Sequence, residues 1–313
     1  MHSTPTSVSS LTRRRFIVET TLAASALGLS AGSSIAIAQT PAPARSGRSP
    51  VIVFSKPFQT LNAEKTAEFV ADVGWDGIEC PVRAKGQVEP ERAAEVLPLY
   101  ATALRQRKCD IFVATTDIVR IDQKHAEKTL RTLSSLGIKR IRLGFFKYDL
   151  SRSPAAQLPD IQAALKDIAA ACGELGIQAG FQNHSGRTYV GAPVWDTYSM
   201  IKDMNPREIG FCFDIGHATI EGGLAWPIHA KLAEPFYTAV FVKDFTWKRT
   251  EKGWKEAWCP LGEGMVDRAF FDTLKKSSFT GPISQHHEYR WTDDAQMASL
   301  MRQDLKVLKS WLA

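Results

Sequence analysis

Gly210-Phe211-Cys212-Phe213-Asp214-Ile215-Gly216-His217-Ala218-Thr219-Ile220-Glu221-Gly222-Gly223 carries an apolar run into a carboxylate and then through glycine into a helical start. Asp214 falls where a short buried strand stops, and His217 follows three residues later. The glycines let backbone pass close to whatever those side chains hold. Two readings fit the segment: Asp214 caps a strand-to-helix turn beside an incidental histidine, or both residues stand at the lip of an active site. The flanking chain decides between them.

From residue 51 onward, β-rich apolar runs alternate with amphipathic stretches at a spacing of about 30 residues, the rhythm of repeated βα units. Strands are predicted over Val51–Ser55, Gly77–Pro81, Asp110–Thr115, Arg140–Phe145, Gln178–Gln182, Glu208–Asp214, Ala239–Asp244 and Pro282–Glu288. Apolar residues three and four apart predict helices over Ala63–Val73, Glu91–Arg107, Gln123–Leu136, Leu158–Leu175, Trp195–Met204, Trp226–Ala233, Asp267–Lys276 and Met297–Trp311. Gly74, Gly137 and Gly176, each followed by an apolar residue, mark left-handed helix ends. Eight such units without a phosphate-type glycine loop after the first strand predict a single (β/α)8 TIM barrel, not a doubly wound sheet.

The N-terminus reads as a targeting segment. Thr12-Arg13-Arg14-Arg15-Phe16-Ile17 leads into a mildly apolar run and then Ala36-Ile37-Ala38. Paired arginines and modest hydrophobicity resemble a twin-arginine leader, which implies residues 1–38 as signal peptide, recognition by the twin-arginine export machinery and a periplasmic location. The alternative is an uncleaved anchor, which the glycines, serines and threonines disfavour. Residues 39–50, rich in Pro, Ala, Ser and Gly, form a flexible linker, and the barrel occupies 51–313. Losing Arg13, Arg14, Arg15 and Glu19 lowers the net charge by two, from +6 to about +4. That balance, with Lys and Arg scattered over helix faces, argues against nucleic acid, and no membrane association is expected after leader cleavage. The five cysteines, Cys80, Cys109, Cys172, Cys212 and Cys259, show no close pairing and read as free thiols of a chain folded before export.

In a TIM barrel the site lies at the C-terminal ends of the strands, so polar side chains there become candidates. They are Glu79 after strand 2, Gln182, Asn183 and His184 after strand 5, Asp214 and His217 after strand 6, Lys243 after strand 7, and His286 and Glu288 after strand 8. Period-two alternation puts Asp214 on the face of Cys212 and Gly210, Lys243 with Phe241, Glu288 with His286 and Gln182 with His184. Two carboxylates among nitrogen and oxygen donors suit a divalent cation, Mn²⁺ or Mg²⁺, with Zn²⁺ less suited for want of a thiolate. Lys243 could serve as a base if buried or neutralise Asp214 and Asp244, and an electrostatic role is the one expected. Trp195, Trp247, Trp254, Trp258 and Tyr289 are candidates to stack on sugar faces or cover the mouth. Thr246–Gly264 reads as a lid with Gly262 and Gly264 as hinges.

Gly77-Ile78-Glu79, Phe181-Gln182-Asn183-His184, Phe213-Asp214-Ile215-Gly216-His217, Val242-Lys243-Asp244 and His287-Glu288-Tyr289 together resemble the xylose isomerase-like TIM barrel superfamily, the sugar phosphate isomerase/epimerase group. The resemblance implies one divalent metal held by Glu or His on strand 5, Asp on strand 6, His on strand 7 and Glu on strand 8. Carried over, it assigns Asp214, Glu288 and Gln182 to the metal, with Phe241 where histidine is usual. It assigns Glu288, Lys243 and His217 to catalysis, His217 also contacting substrate hydroxyls. Glu79, His184, His286 and Trp247 complete the expected substrate contacts. The expected function is an exported enzyme moving a proton next to a carbonyl of a sugar or keto-glycoside, by isomerisation, epimerisation or elimination. The alternatives are a sugar-binding barrel that has lost catalysis and a metal-dependent hydrolase.

Overall fold

The computed structural model describes residues 48–313; the expected leader and most of the expected linker lie outside the described residues. Eight parallel strands close on themselves: β1 (Val51–Phe54), β2 (Gly77–Val82), β3 (Asp110–Thr116), β4 (Arg140–Arg142), β5 (Gln178–Gln182), β6 (Ile209–Asp214), β7 (Tyr237–Val242) and β10 (Ile283–Gln285). The ring is shut by the pairing of β1 with β10, Val51 opposite Ile283. This is the predicted (β/α)8 TIM barrel. Between β7 and β10 the chain inserts an antiparallel hairpin, β8 (Asp244–Thr250) and β9 (Gly253–Cys259).

The helices are α1 (Ala63–Val73), α2 (Ala93–Gln106), α3 (Ala126–Ser135), α4 (Pro154–Glu174), α5 (Val194–Ile201), α6 (Ile215–Gly222), α7 (Trp226–Ala233), α8 (Ala269–Lys276) and α9 (Asp294–Leu312). The periodicity locates α1 and α7 to the residue, and Gly74, Gly137 and Gly176 take φ of +97°, +73° and +66°, as their place at helix ends requires. Helix α6, which follows β6 directly, lies in a stretch with no helix prediction; eight residues with buried His217 and Thr219 give little amphipathic pattern to read. Strands β4 and β10 are shorter than predicted because their C-terminal residues leave the ladder to build the mouth. Leu143 still donates to the Gly180 carbonyl, and His286 to that of Val242.

Two apolar layers result. Most of the core lies between the barrel wall and the helices, and a small cluster of Ile52, Val113, Cys212, Ala239 and Phe241 fills the barrel interior. Inward positions alternate as the pleat requires, so the residues one step beyond this plug point into the mouth. The five cysteines are free. Among the described residues no helix is long and apolar enough to cross a membrane.

The expected lid is instead the β8–β9 hairpin, a paired ribbon turning through Glu251 and Lys252 with Gly253 at φ +104°. Gly262 and Gly264 fix its return, since their N–H groups and that of Val266 donate to the buried Asp244 carboxylate at 3.0 Å each. A Cβ on Gly264 would lie 2.2 Å from Asp244 Oδ1 and 2.4 Å from the Phe245 carbonyl, so this glycine is a packing necessity, not a hinge.

Candidate active site

Strand β6 ends at Asp214 and α6 begins at the next residue. Asp214 Oδ1 accepts the His217 N–H at 3.0 Å, the N-cap bond, while Asn183 brackets the Asp214 peptide by accepting its N–H at 2.8 Å and donating to its carbonyl at 2.9 Å. The capping reading of the opening segment holds, and because capping uses Oδ1 it leaves Oδ2 for other partners. Oδ2 receives Gln182 Nε2 at 2.8 Å and lies 3.2 Å from Lys243 Nζ.

Lys243 is the first residue after β7. Its ammonium also lies 3.0 Å from Glu288 Oε1, and 4.8 Å from the centre of the Trp258 ring, which β9 brings over it. The Lys243 side chain is 2% exposed and that of Glu288 is 25% exposed, so the cation is sealed beneath a carboxylate that still reaches the opening. Burial alone pushes the Lys243 ammonium toward neutrality, but Asp214 and Glu288 outweigh it and its pKa is raised. Burial would raise the Glu288 carboxyl, yet Lys243, with His286 behind it, holds it down to about 2. Asp244, the other expected partner of Lys243, is turned to backbone N–H groups. Gly216 makes the arrangement possible: a Cβ there would stand 2.9 Å from Lys243 Cγ and 3.0 Å from its carbonyl oxygen.

Gln182 links this group to the next strand. Its Oε1 accepts from Arg142 Nη1 at 3.2 Å, and the Arg142 guanidinium stacks 4.4 Å from the Phe145 ring centre. Arg142 cannot accept and Asp214 cannot donate when ionised, so the amide orientation of Gln182 is fixed by its two partners. Arg142 is buried, which lowers its pKa to about 10.

One layer below, Glu79 is fully buried, accepting from Ser284 Oγ at 2.7 Å, paired with His286 Nε2 at 2.8 Å and bonded by the Thr115 hydroxyl. Burial would raise its pKa, but His286 and the hydroxyls lower it overall. His286 is sandwiched between Phe54 and Phe241, at ring separations of 4.7 Å and 4.5 Å. Both residues thus lie under the mouth and brace it.

The His217 and His184 rings lie 3.9 Å apart at an interplanar angle of 39°, with His217 Nδ1 at 2.8 Å from Ser185 Oγ. Burial, then Lys243, lowers both, His184 to about 4, so both are neutral imidazoles near neutral pH. His217 Nε2 is buried without a hydrogen-bond partner, 3.7 Å from Asp214 Oδ2. Beside this pair opens a groove of about 640 Å³ lined in part by Tyr148, Ser185, Tyr189, Trp247 and Glu256. Trp247 is 43% exposed there, while Trp195 and Trp254 face solvent and Tyr289 turns away to donate to Asp304.

The sequence matches the description "Xylose isomerase-like TIM barrel" over residues 67–311. The chain belongs to the xylose isomerase-like TIM barrel family. No curated protein sequence matches it. Among solved structures it is similar to a xylose isomerase-like TIM barrel protein from Mycobacterium smegmatis in complex with magnesium, with 19% identity, 84% of this chain and 98% of that chain covered, and a TM-score of 0.62. It is similar to a 3-keto-D-glucoside 4-epimerase from E. coli in its apo form, with 17% identity, 84% and 100% coverage and a TM-score of 0.65. It is also similar to a D-psicose 3-epimerase crystallised in the presence of D-fructose, with 15% identity, 84% and 99% coverage and a TM-score of 0.63. At these identities the likeness is one of fold.

Membership of the xylose isomerase-like family makes the expected divalent ion a direct question for Asp214, Glu288 and Gln182. Among the described residues no group of three or more His, Cys, Asp or Glu is placed to hold a metal. The donor set explains why. The point between Asp214 and Glu288 is taken by the Lys243 ammonium. Gln182 turns its N–H toward Asp214 and gives its oxygen to Arg142, and Phe241 offers no donor. Mn²⁺ or Mg²⁺ does not fit these residues as they are arranged.

Arg142, Ser185, Ser284 and Thr115 join the cluster without having been singled out from sequence. Arg142 carried a weak signal, as a charged residue at the end of β4, a strand that also begins with Arg140. The three hydroxyl residues carried none, being common on strands and loops.

Proposed function

We propose that this chain is an exported sugar-converting enzyme that moves a proton next to a carbonyl of a sugar or keto-glycoside. The observation that carries the reading is the buried Lys243 ammonium 3.0 Å from Glu288, a carboxylate that reaches the mouth. An ammonium beside a carbonyl oxygen polarises the bond and leaves the carbonyl carbon electron-poor, which acidifies the adjacent C–H. Glu288 takes that proton as the C–H electrons form a C=C bond, and the negative charge developing on oxygen is matched by Lys243. Return of the proton by Glu288 to the neighbouring carbon, with an O–H proton passing between the two oxygens, gives an isomer, whereas an epimer takes its proton from solvent on the opposite face. A leaving group one carbon further departs instead as an elimination. The low basicity of Glu288 makes acidification by the cation necessary, because a carboxylate near 2 cannot deprotonate an unactivated sugar carbon. His217 and His184, as neutral imidazoles, serve as hydrogen-bond partners for hydroxyls, and Trp247 offers a stacking face beside the groove.

Neutral sugars suit an exported enzyme, and the leader-like segment around Arg13–Phe16 and the five free cysteines support folding before export to the periplasm. The test is incubation with sugars and 3-keto-glycosides in ²H₂O, followed by NMR. Deuterium at a carbon beside the carbonyl is the expected result, and its absence across neutral and oxidised sugars would overturn the reading. Gln182 and Phe241 in place of metal-ligating residues favour one second reading, a sugar-binding barrel without turnover; calorimetric binding of a sugar with no exchange would establish it.

A further inference from the structure

Gln182 and Phe241 depart together from the residues that the family resemblance implies, and both departures are chemically coupled to Lys243. Where the implied strand 5 ligand is Glu and not His, a divalent ion with that Glu, Asp on strand 6 and Glu on strand 8 sums to a charge of −1. One ammonium with Gln182, Asp214 and Glu288 also sums to −1. Halving the cation requires removing one carboxylate, and strand 5 is where it is gone. Gln182 fills that position with a donor, its Nε2 2.8 Å from Asp214, and the Arg142 guanidinium on its oxygen locks it in that sense. Phe241 occupies the histidine position and packs on His286 at 4.5 Å, so no side-chain donor stands there.

We infer that Lys243 is a tethered substitute for the divalent cation, so that this barrel mouth works without a metal ion. The ammonium bridges the two retained carboxylates at 3.2 Å and 3.0 Å, with Trp258 over it and the bare Cα of Gly216 beside its stem. An ammonium has three hydrogens. Two are committed to Asp214 and Glu288, and the Trp258 ring lies over the ammonium, so a substrate oxygen reaches the third once Trp258 or Glu288 yields. The cation is thereby a hydrogen-bond donor fixed by covalent attachment, insensitive to chelation and to metal supply. This concerns the cation at the site and stands apart from the reaction proposed above.

The test uses Mn²⁺ as the probe on the full chain after dialysis against EDTA. Isothermal titration, with electron paramagnetic resonance counting free Mn²⁺, is expected to show no stoichiometric uptake, and the thermal midpoint is expected to be the same with Mn²⁺ or EDTA. Uptake of one equivalent that is lost in Asp214→Ala would overturn the inference, and this measurement needs only the wild-type fold. The double variant Gln182→Glu/Lys243→Ala vacates the position and restores the third carboxylate. It is expected to bind one Mn²⁺ and to gain thermal stability from it. A double variant that is folded by circular dichroism yet takes up no Mn²⁺ would equally overturn the placement of Lys243 at the cation position. Failure of deuterium exchange in the wild type would sink the proposed reaction and leave this result untouched, whereas Mn²⁺ uptake would remove Lys243 as the cation in both and leave the proton transfer to be read by exchange alone.

Discussion

Replacing Lys243 by Met would leave Asp214 and Glu288 facing each other across a buried gap with no cation between them. Breaking a buried ion pair by removing one partner costs about 3–5 kcal/mol, so Lys243→Met should unfold at markedly lower denaturant concentration. It should also lose deuterium exchange. Glu288→Gln separates the two roles, because the amide retains an oxygen for Lys243 but cannot take a proton. It should keep most of the stability while exchange falls by about 10²–10⁴-fold. Near-wild-type exchange in Glu288→Gln would remove Glu288 as the base. Asp214 is harder to test singly, since it caps α6 through Oδ1 and meets Lys243 through Oδ2. Its substitution would disturb a helix start and an electrostatic centre at once.

The hairpin β8–β9 and the last helix are tied to the barrel through two buried carboxylates. Asp244 accepts the N–H groups of Phe245, Gly262, Gly264 and Val266 and so determines where the ribbon returns. Gly264→Ala forces a methyl against that carboxylate and should destabilise by about 1–3 kcal/mol, read as a lower unfolding midpoint, with Trp258 displaced from Lys243. Asp304 of α9 accepts the Leu261 N–H at 3.1 Å and the Tyr289 hydroxyl at 2.7 Å, with neutral His287 at 3.4 Å. Burial raises the Asp304 pKa to about 6, above the 3.8 of a free carboxyl. The fold therefore prefers the protonated acid. Its contribution to stability is complete below about 3.8, declines as pH rises through about 6 and is gone above that, a swing on the order of 2–3 kcal/mol. Asp304→Asn, which keeps the shape without the charge, should gain stability over wild type at pH 7.5 and lose that advantage at pH 4, measured by urea unfolding at both.

At the scale of the whole molecule, stability rests on the double core and on no covalent cross-link. All five cysteines are free, so reductant should leave the unfolding midpoint unchanged. The barrel itself was legible from strand and helix rhythm, because a parallel sheet buried on both faces writes near-continuous apolar runs and each helix writes a 3.6-residue stripe. Helix ends at Gly74, Gly137 and Gly176 were legible for the same local reason. Much of the mouth was legible too: Asp214, Lys243 and Gln182 stand at strand ends, and alternation alone puts them on the inner face, whereas His217 lies in α6 and Glu288 three residues past β10. The β8–β9 ribbon was not, since its turn residues, Glu251 and Lys252, carry no hairpin signature before Gly253. Nor was the partnership of each charge. Sequence spacing assigns a side chain to a face, but whether Lys243 meets Asp214, Asp244 or substrate depends on strands that are adjacent only once the barrel closes. By itself the sequence determined the repeat, the faces and the residue types at the mouth, all of which follow from interactions within a turn or a strand. Only the tertiary structure decided that an ammonium, not a metal-shaped gap, lies between the two carboxylates, because that point is defined by the ends of β6, β7 and β10 together.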